Sequence, residues 1–284
     1  MISEEEIRKL KKCAIRIRKH IVTMTGLAKS GHPGGSLSAA DILTVLFFKK
    51  MRLKPEDPQW KERDIFILSK GHASPVLYAA LAEAGFFPVE ELKDFRKLRS
   101  HLQGHPDRLM TPGVEMSTGS LGQGLSVANG VALAFKLDKS PRKVYVLIGD
   151  GELQEGQIWE AAMTASHYKL DNLTAIIDYN GLQIDGPVSN VKEVAPVVEK
   201  WKAFGWETRE INGHDYYQII EALEWADSVK GKPAVIIAHT VKGKGISFME
   251  GKVKFHGVPP SEEEMKAALK ELEEQEKEIE NEGV

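Results

Sequence analysis

What most limits the folds open to this chain is a set of short apolar runs, each of strand length, set between segments of helical periodicity. The clearest runs cover 144–148 and 173–177, 65–68 reads the same way, and 206–211 and 234–240 are expected strands that each follow a helix. Helical spacing is expected over 3–29, where Ser3 and Glu6 form a capping-box pattern, and over 38–48, 73–84, 122–137, 159–168, 191–204 and 219–229. The word Ser30-Gly31-His32-Pro33-Gly34-Gly35 reads as a loop, and 101–118 as irregular. A strand that is apolar without alternation is buried on both faces. Alternation with helices therefore predicts an α/β fold, a mostly parallel sheet covered by helices on both faces. In such sheets ligands bind off the carboxyl ends of the strands, which is where this sequence concentrates Gly, Asp and Asn.

Composition narrows the function. With 38 Lys and Arg against 41 Asp and Glu, the net charge is −3, so no basic footprint for nucleic acid or an anionic membrane is present. A lone cysteine, Cys13, excludes an internal disulfide framework and any multi-cysteine zinc site. The opening MISEEEIRKL carries charges where a secretory leader needs an apolar core, and the expected setting is cytoplasmic, with no membrane partner. We expect one domain over 1–260 with a helical N-terminal portion. The strongly charged stretch 261–284 reads as a helical tail, solvated or packed on a partner.

The chemistry concentrates at two strand ends. Gly149-Asp150-Gly151-Glu152 closes one run, and Asp178-Tyr179-Asn180-Gly181-Leu182 closes the next. Glycines beside an aspartate let backbone approach an anion, while the Asp150 carboxylate and Asn180 amide oxygen are hard ligands suited to Mg²⁺ or Ca²⁺ shared with a diphosphate. The same residue types also build ordinary βα turns. Four of the nine histidines, His32, His72, His105 and His256, lie in glycine- or proline-containing loops rather than on apolar helix faces. His101 and His105 have the spacing of HExxH, but the Glu is absent and Gly104 and Pro106 break a helix, which excludes a zinc protease. TGSLGQG lacks the order of a dinucleotide-binding loop, and no P-loop lysine word occurs.

Taken in order, SGHPGGSLS, SKGHASPVLYA, LQGHPD, STGSLGQGLSVANG, GDGELQEGQIWEA, DYNGLQIDG and KGKGISFMEGKVKFHG closely resemble the words of transketolases, thiamin-diphosphate enzymes. They span about 30 to 256. Two minor departures are Tyr179, where many relatives have Asp or Asn, and SLGQG, where a proline often precedes the leucine. 1-Deoxyxylulose-5-phosphate synthase shares the GDG…N pattern, but GHPGGSLS and LQGHPD favour transketolase.

The resemblance implies a thiamin-diphosphate PP-type domain with these roles. Asp150, the Asn180 side chain and the Leu182 main-chain carbonyl would bind Mg²⁺, with Ca²⁺ a substitute, and Gly151 would donate its N–H to the diphosphate. Gly119, Ser120 and Leu121 would lie against the aminopyrimidine and neighbouring cofactor atoms, with Ile184 beside the cofactor. His72 and His256 would contact the diphosphate; His32, His105 and His256 would bind sugar oxygens, and Glu155 would face a partner chain near the cofactor. Imidazoles suit proton movement on a sugar hydroxyl near neutral pH. Transketolases also carry a pyrimidine-binding domain and a C-terminal domain, and the chain looks like the amino-terminal subunit of a split enzyme. It would act on sugar phosphates with a second chain, as an α2β2 complex. A catalytically silent, regulatory subunit is the non-enzymatic alternative, which the intact Asp150, Asn180 and histidines disfavour.

Overall fold

Five parallel strands, β1 (Ile65–Leu68), β2 (Val144–Gly149), β3 (Leu173–Tyr179), β6 (Glu207–Asn212) and β7 (Ala234–His239), form one sheet in the order β1-β2-β3-β7-β6. The computed structural model of the chain describes residues 2–281. Two further short strands, β4 (Leu182–Gln183) and β5 (Gly186–Pro187), make an antiparallel hairpin just beyond β3.

Side chains of the central strands alternate between two cores. Ile65, Ile67, Val144, Val146, Ile148, Ala175 and Ile177 face helices α5 (Gln123–Leu137), α6 (Gly156–His167) and α8 (Val197–Ala203). Phe66, Leu68, Tyr145, Leu147, Ile176 and Ile236 face α1 (Glu4–Ala28), α3 (Ala40–Val45), α4 (Ser74–Glu83) and α9 (Tyr216–Ser228). Both faces being covered explains why the sequence shows runs instead of alternation. This is the α/β architecture expected from the sequence.

Three local expectations need correction. His32-Pro33-Gly34-Gly35 is not simply loop: α2 spans Pro33–Ser38, with Pro33 at the first helical position, where its missing N–H costs nothing. The chain breaks at Ala39 before α3 rather than starting its helix at Ser38. The helix expected over 191–204 is two pieces, α7 (Val188–Lys192) and α8, separated around Pro196. By contrast, the capping box at Ser3 is present: Glu6 N donates to Ser3 Oγ at 3.2 Å, and Ser3 N donates to Glu6 Oε2 at 3.3 Å.

The charged tail forms α10 (Glu262–Asn281), and its sparse apolar stripe, with Ala268 and Leu272 buried, packs into the same core as α1. Lys12–Glu280 and Lys19–Glu276 ion pairs at 3.0 and 2.6 Å tie the two helices along their length. No helix among the described residues is long and apolar enough to cross a membrane.

Candidate cofactor site

Four strand ends deliver side chains to one cavity of about 360 Å³. Lys70 and His72 follow β1, Asp150 follows β2, Asn180 follows β3, and Lys242 lies just past β7. The parallel register sets Gly149 beside Asp178, so Asp150 and Asn180 come off neighbouring strands at one level. From beyond the sheet, α2 contributes His32 and Gly35, and His256 arrives from the segment before α10. A larger depression of about 540 Å³ lies against Glu4, Arg8, Asp215 and Tyr217; its lining mixes both charge signs and includes none of the residues singled out in the sequence.

Asp150 is 2% exposed. Its carboxylate accepts from Gly151 N at 2.8 Å and Gly181 N at 2.5 Å, which draws the Asn180 turn over it. Burial, reinforced by the charge of Asp178, pushes its pKa up to about 6 despite those two bonds. Asn180 Oδ1 accepts from Leu182 N at 3.1 Å. The Gly151 N–H, the expected diphosphate donor, points to Asp150 Oδ1 in this structure, at the edge of the same cavity.

The cations sit opposite. Lys70 is ion-paired to the buried Asp178, which also accepts from Ser38 Oγ at 2.6 Å and from Thr240 Oγ1. That ring of donors and the Lys70 charge hold Asp178 below the usual carboxylate range against its burial. Lys242, also 2% exposed, has His256 Nδ1 at 3.1 Å as its hydrogen-bond partner. Burial, with repulsion from Lys70, lowers Lys242 to about 8. A Cβ on Gly35 would stand 3.8 Å from Lys70 Nζ, 3.9 Å from His72 Nε2 and 4.0 Å from Lys242 Nζ. The glycine thus leaves an empty cradle between two ammonium groups and an imidazole.

His32, His72 and His256 form a triangle with ring centroids 5.2–5.8 Å apart. Burial, then neighbouring cations, lowers His32 to about 4 and His256 to about 3, and drives His72 well below its usual value. All three are neutral at pH 7, able to donate and accept. His105 is lowered too, by burial and then Arg96. Its ring packs on Gly119, where a Cβ would fall 2.9 Å from His105 Cδ2.

The structure therefore gathers His32, His72, Gly119, Leu121, Asp150, Gly151, Glu155, Asn180, Leu182, Ile184 and His256 around the cavity. His105 sits behind Gly119 rather than in the lining, and the exposed Ser120 is outside it. Glu155 and Ile184 are exposed at its edge, Ile184 to 62%. The sequence reading did not single out Lys70, Lys242, Gly35, Asp178 or Glu152. Glu152 is buried and accepts from Ser69 Oγ, from Gly122 N at 2.8 Å and from Gly149 N at 3.1 Å, fastening the ends of β1 and β2 to the start of α5. A signal existed for the lysines: both lie beside a glycine at a strand end, in SKGH and VKGKG.

Residues 10–280 match the transketolase thiamine diphosphate binding domain. The chain belongs to the transketolase family. It is 47% identical over 272 residues to a 6-deoxy-6-sulfo-D-fructose transketolase subunit from Clostridium sp. (strain MSTE9), covering 96% of this chain and 98% of that one. It is 46% identical to an apulose-4-phosphate transketolase subunit from Actinobacillus succinogenes, covering 95% and 97%. Human transketolase is 44% identical over 257 residues, 90% of this chain but 41% of the human protein. The crystal structure of Campylobacter jejuni transketolase superposes with a TM-score of 0.88 at 41% identity, covering 93% of this chain and 42% of that one. The chain thus resembles amino-terminal subunits of split transketolases over its whole length and spans less than half of the full-length enzymes.

The transketolase site has a charge distribution that asks for a particular kind of ligand. Asp150 and Lys242 are buried charges of opposite sign that act on each other, and burial still shifts each toward its neutral form. A divalent metal carrying a diphosphate answers both at once. Among the described residues no cluster of three or more His, Cys, Asp or Glu could hold a metal, so a metal here would rest on a mixed oxygen set with ligands from the diphosphate itself.

Proposed function

We propose that this chain is the diphosphate-binding subunit of a two-chain transketolase, transferring a two-carbon ketol unit reversibly from a ketose phosphate to an aldose phosphate. The observation that carries the reading is the pair of buried, oppositely charged groups, Asp150 and Lys242, in one cavity with three histidines.

In this reading Asp150, the Asn180 amide oxygen and the Leu182 carbonyl hold Mg²⁺, with Ca²⁺ able to replace it. Lys242 and His72 take the diphosphate at the Gly35 cradle. Gly119, Ser120, Leu121 and Ile184 line the rest of the thiamin cofactor. Thiamin diphosphate, when bound, supplies the carbanion chemistry needed to break and remake a carbon–carbon bond beside a carbonyl. The protein's part is to orient and to move protons. His32 and His105 hydrogen-bond the sugar's hydroxyl and carbonyl oxygens, and His256 bridges the diphosphate region and the substrate. Neutral imidazoles serve this better than charged ones, because one ring nitrogen can take a hydroxyl proton while the other donates a second bond. Glu155, exposed at the cavity edge, faces the partner chain.

The relatives named as subunits, which this chain covers nearly end to end, support a separate second chain bearing the pyrimidine-binding and C-terminal domains. We take the assembly as α2β2. Exposed Val127 on α5 and Met163 on α6, with open space over Gly130 and Gly156, offer a surface for it. The names of the relatives point to 6-deoxy-6-sulfofructose and apulose 4-phosphate for those proteins, so the substrate class here is an anionic ketose, with its terminal anion held by the second chain. Purified chain mixed with its candidate partner should carry out ketol transfer and elute as a hetero-oligomer. Turnover by this chain freed of any partner would refute the two-chain reading.

A further inference from the structure

Outside the lining of the cavity lies a largely buried polar network that the proposed chemistry does not use, two members of which, His214 and Tyr216, line the larger depression. Its centre is Asp41 on α3. Arg18 of α1 grips it with two bonds, Nη1 to Oδ1 at 2.9 Å and Nη2 to Oδ2 at 2.6 Å. Tyr216 OH donates to Oδ1 at 2.6 Å and His214 Nδ1 lies 2.8 Å from Oδ2. Four bonds from three residues, two of them from Arg18, fill the four acceptor positions of one carboxylate.

Two arms leave this centre and both reach the segment that carries Lys242. His214 Nε2 accepts from Val241 N at 2.9 Å, which fixes the tautomer, with the Nδ1 proton directed to Asp41. Arg18 Nε donates to Lys244 O at 3.0 Å. The backbone is thus held one residue before Lys242 and two residues after it, by groups oriented through the same carboxylate. Arg18 also packs directly on this segment: Gly245 has φ +94°, and a Cβ there would fall 2.9 Å from Arg18 Cδ. On the other side, Gly243 N donates to Gly34 O at 3.0 Å, next to the Gly35 cradle.

We infer that Asp41 is a positioning residue for Lys242, acting through Arg18 and His214 to fix the height of its backbone beneath the anion cradle. The ordinary role for a buried Arg–Asp pair is to join two helices, here α1 and α3. Two apolar side chains of similar volume do that as well or better, since they avoid desolvating the charges. What apolar side chains cannot do is hold the Val241 N–H and the Lys244 carbonyl. The network is therefore retained for the geometry of the segment.

This inference rests on the cavity being the diphosphate site, and its test separates the two. Magnesium pyrophosphate is titrated calorimetrically into the complete chain, and stability is measured by urea unfolding. Lys242→Met should lose affinity; if it binds as wild type does, the cavity reading fails and this inference falls with it. His214→Leu cuts one arm and leaves Arg18 and Asp41 paired, and we expect affinity to fall about tenfold, the size typical of lost support behind a ligand-binding group. His214→Gln, whose amide can both donate and accept, should recover most of it. The double variant Arg18→Met/Asp41→Leu strands the Tyr216 hydroxyl and the Lys244 carbonyl, so it should stay folded but unfold at lower urea than wild type, and it should bind about tenfold more weakly. A loss in Lys242→Met together with wild-type affinity in either His214→Leu or the folded double variant overturns the positioning role and leaves the network as helix packing.

Discussion

Asp150→Asn should make the ligand-free chain more stable while removing the function the residue serves. The wild-type carboxyl is displaced from its ordinary 3.8 to about 6, burial being the largest cause. An acid whose pKa is raised on folding penalises the native state wherever the unfolded chain is ionised, so the cost is absent at low pH and complete above about pH 7. At about 1.4 kcal/mol per pH unit, that displacement is worth about 3 kcal/mol at pH 8. Asparagine removes the charge but offers one acceptor oxygen where Gly151 N and Gly181 N now both find one. An unmet buried N–H gives back about 1–2 kcal/mol. The net expectation is a gain of about 1–2 kcal/mol at pH 8 that falls to about zero near pH 5 and reverses toward pH 4, where the lost acceptor dominates. Urea unfolding of both proteins between pH 4 and 8, without cofactor, measures it. Adding Mg²⁺ and thiamin diphosphate should then stabilise wild type and leave the variant unmoved. A variant less stable than wild type at pH 8, with the same pH slope, would show that Asp150 is satisfied within the chain and does not await a metal.

Other expectations follow from the same geometry. Gly35→Ala places a methyl at ordinary contact distance from Lys70, His72 and Lys242, so the chain should fold as before or gain up to about 1 kcal/mol in helix α2. It should nevertheless weaken magnesium pyrophosphate binding at least about tenfold by filling the cradle, and unchanged affinity would move the anion elsewhere. Lys70→Met leaves Asp178 buried without its cation and should cost about 3–5 kcal/mol in urea unfolding, most of it recovered in Lys70→Met/Asp178→Leu. In the assembled enzyme, His72→Ala should loosen the cofactor, whereas His32→Ala and His105→Ala should lower kcat or raise KM with cofactor affinity kept; three identical profiles would mean the roles are wrongly divided.

Legibility in the sequence followed physical locality. The sheet could be read because a strand buried on both faces has to be apolar at every position, as 144–148 and 65–68 are. Asp150 and Asn180 could be paired because each immediately follows such a run, and a parallel register brings neighbouring strand ends together. Gly34 and Gly35 misled for the opposite reason. Their local preference is against helix, and tertiary packing overrides it: a Cβ at Gly34 would lie 2.9 Å from Lys242 Cγ, so the residue is chosen for closeness to a segment over two hundred positions away. Lys70 and Lys242 each carried only a neighbouring glycine at a strand end as a local mark, and only the fold shows both to be buried. The Asp41 network was invisible because its members come from α1, α3, the start of α9 and the segment after β7.

The charges left unbalanced at this site are arranged so that one ligand corrects several groups together. Burial first, and then neighbouring cations that include Lys242 in each case, lower His32, His72 and His256. An anion seated at the Gly35 cradle lies next to Lys242 and His72 and offsets the field that lowers the histidines. It moves their pKa values upward, toward the range in which an imidazole exchanges protons at neutral pH. In the proposed function, diphosphate binding and readiness for proton transfer would be coupled through Lys242, which itself moves no proton. A lysine in that position acts on the chemistry by setting the field its neighbours titrate in, which is why the height of its backbone is worth a buried network to maintain.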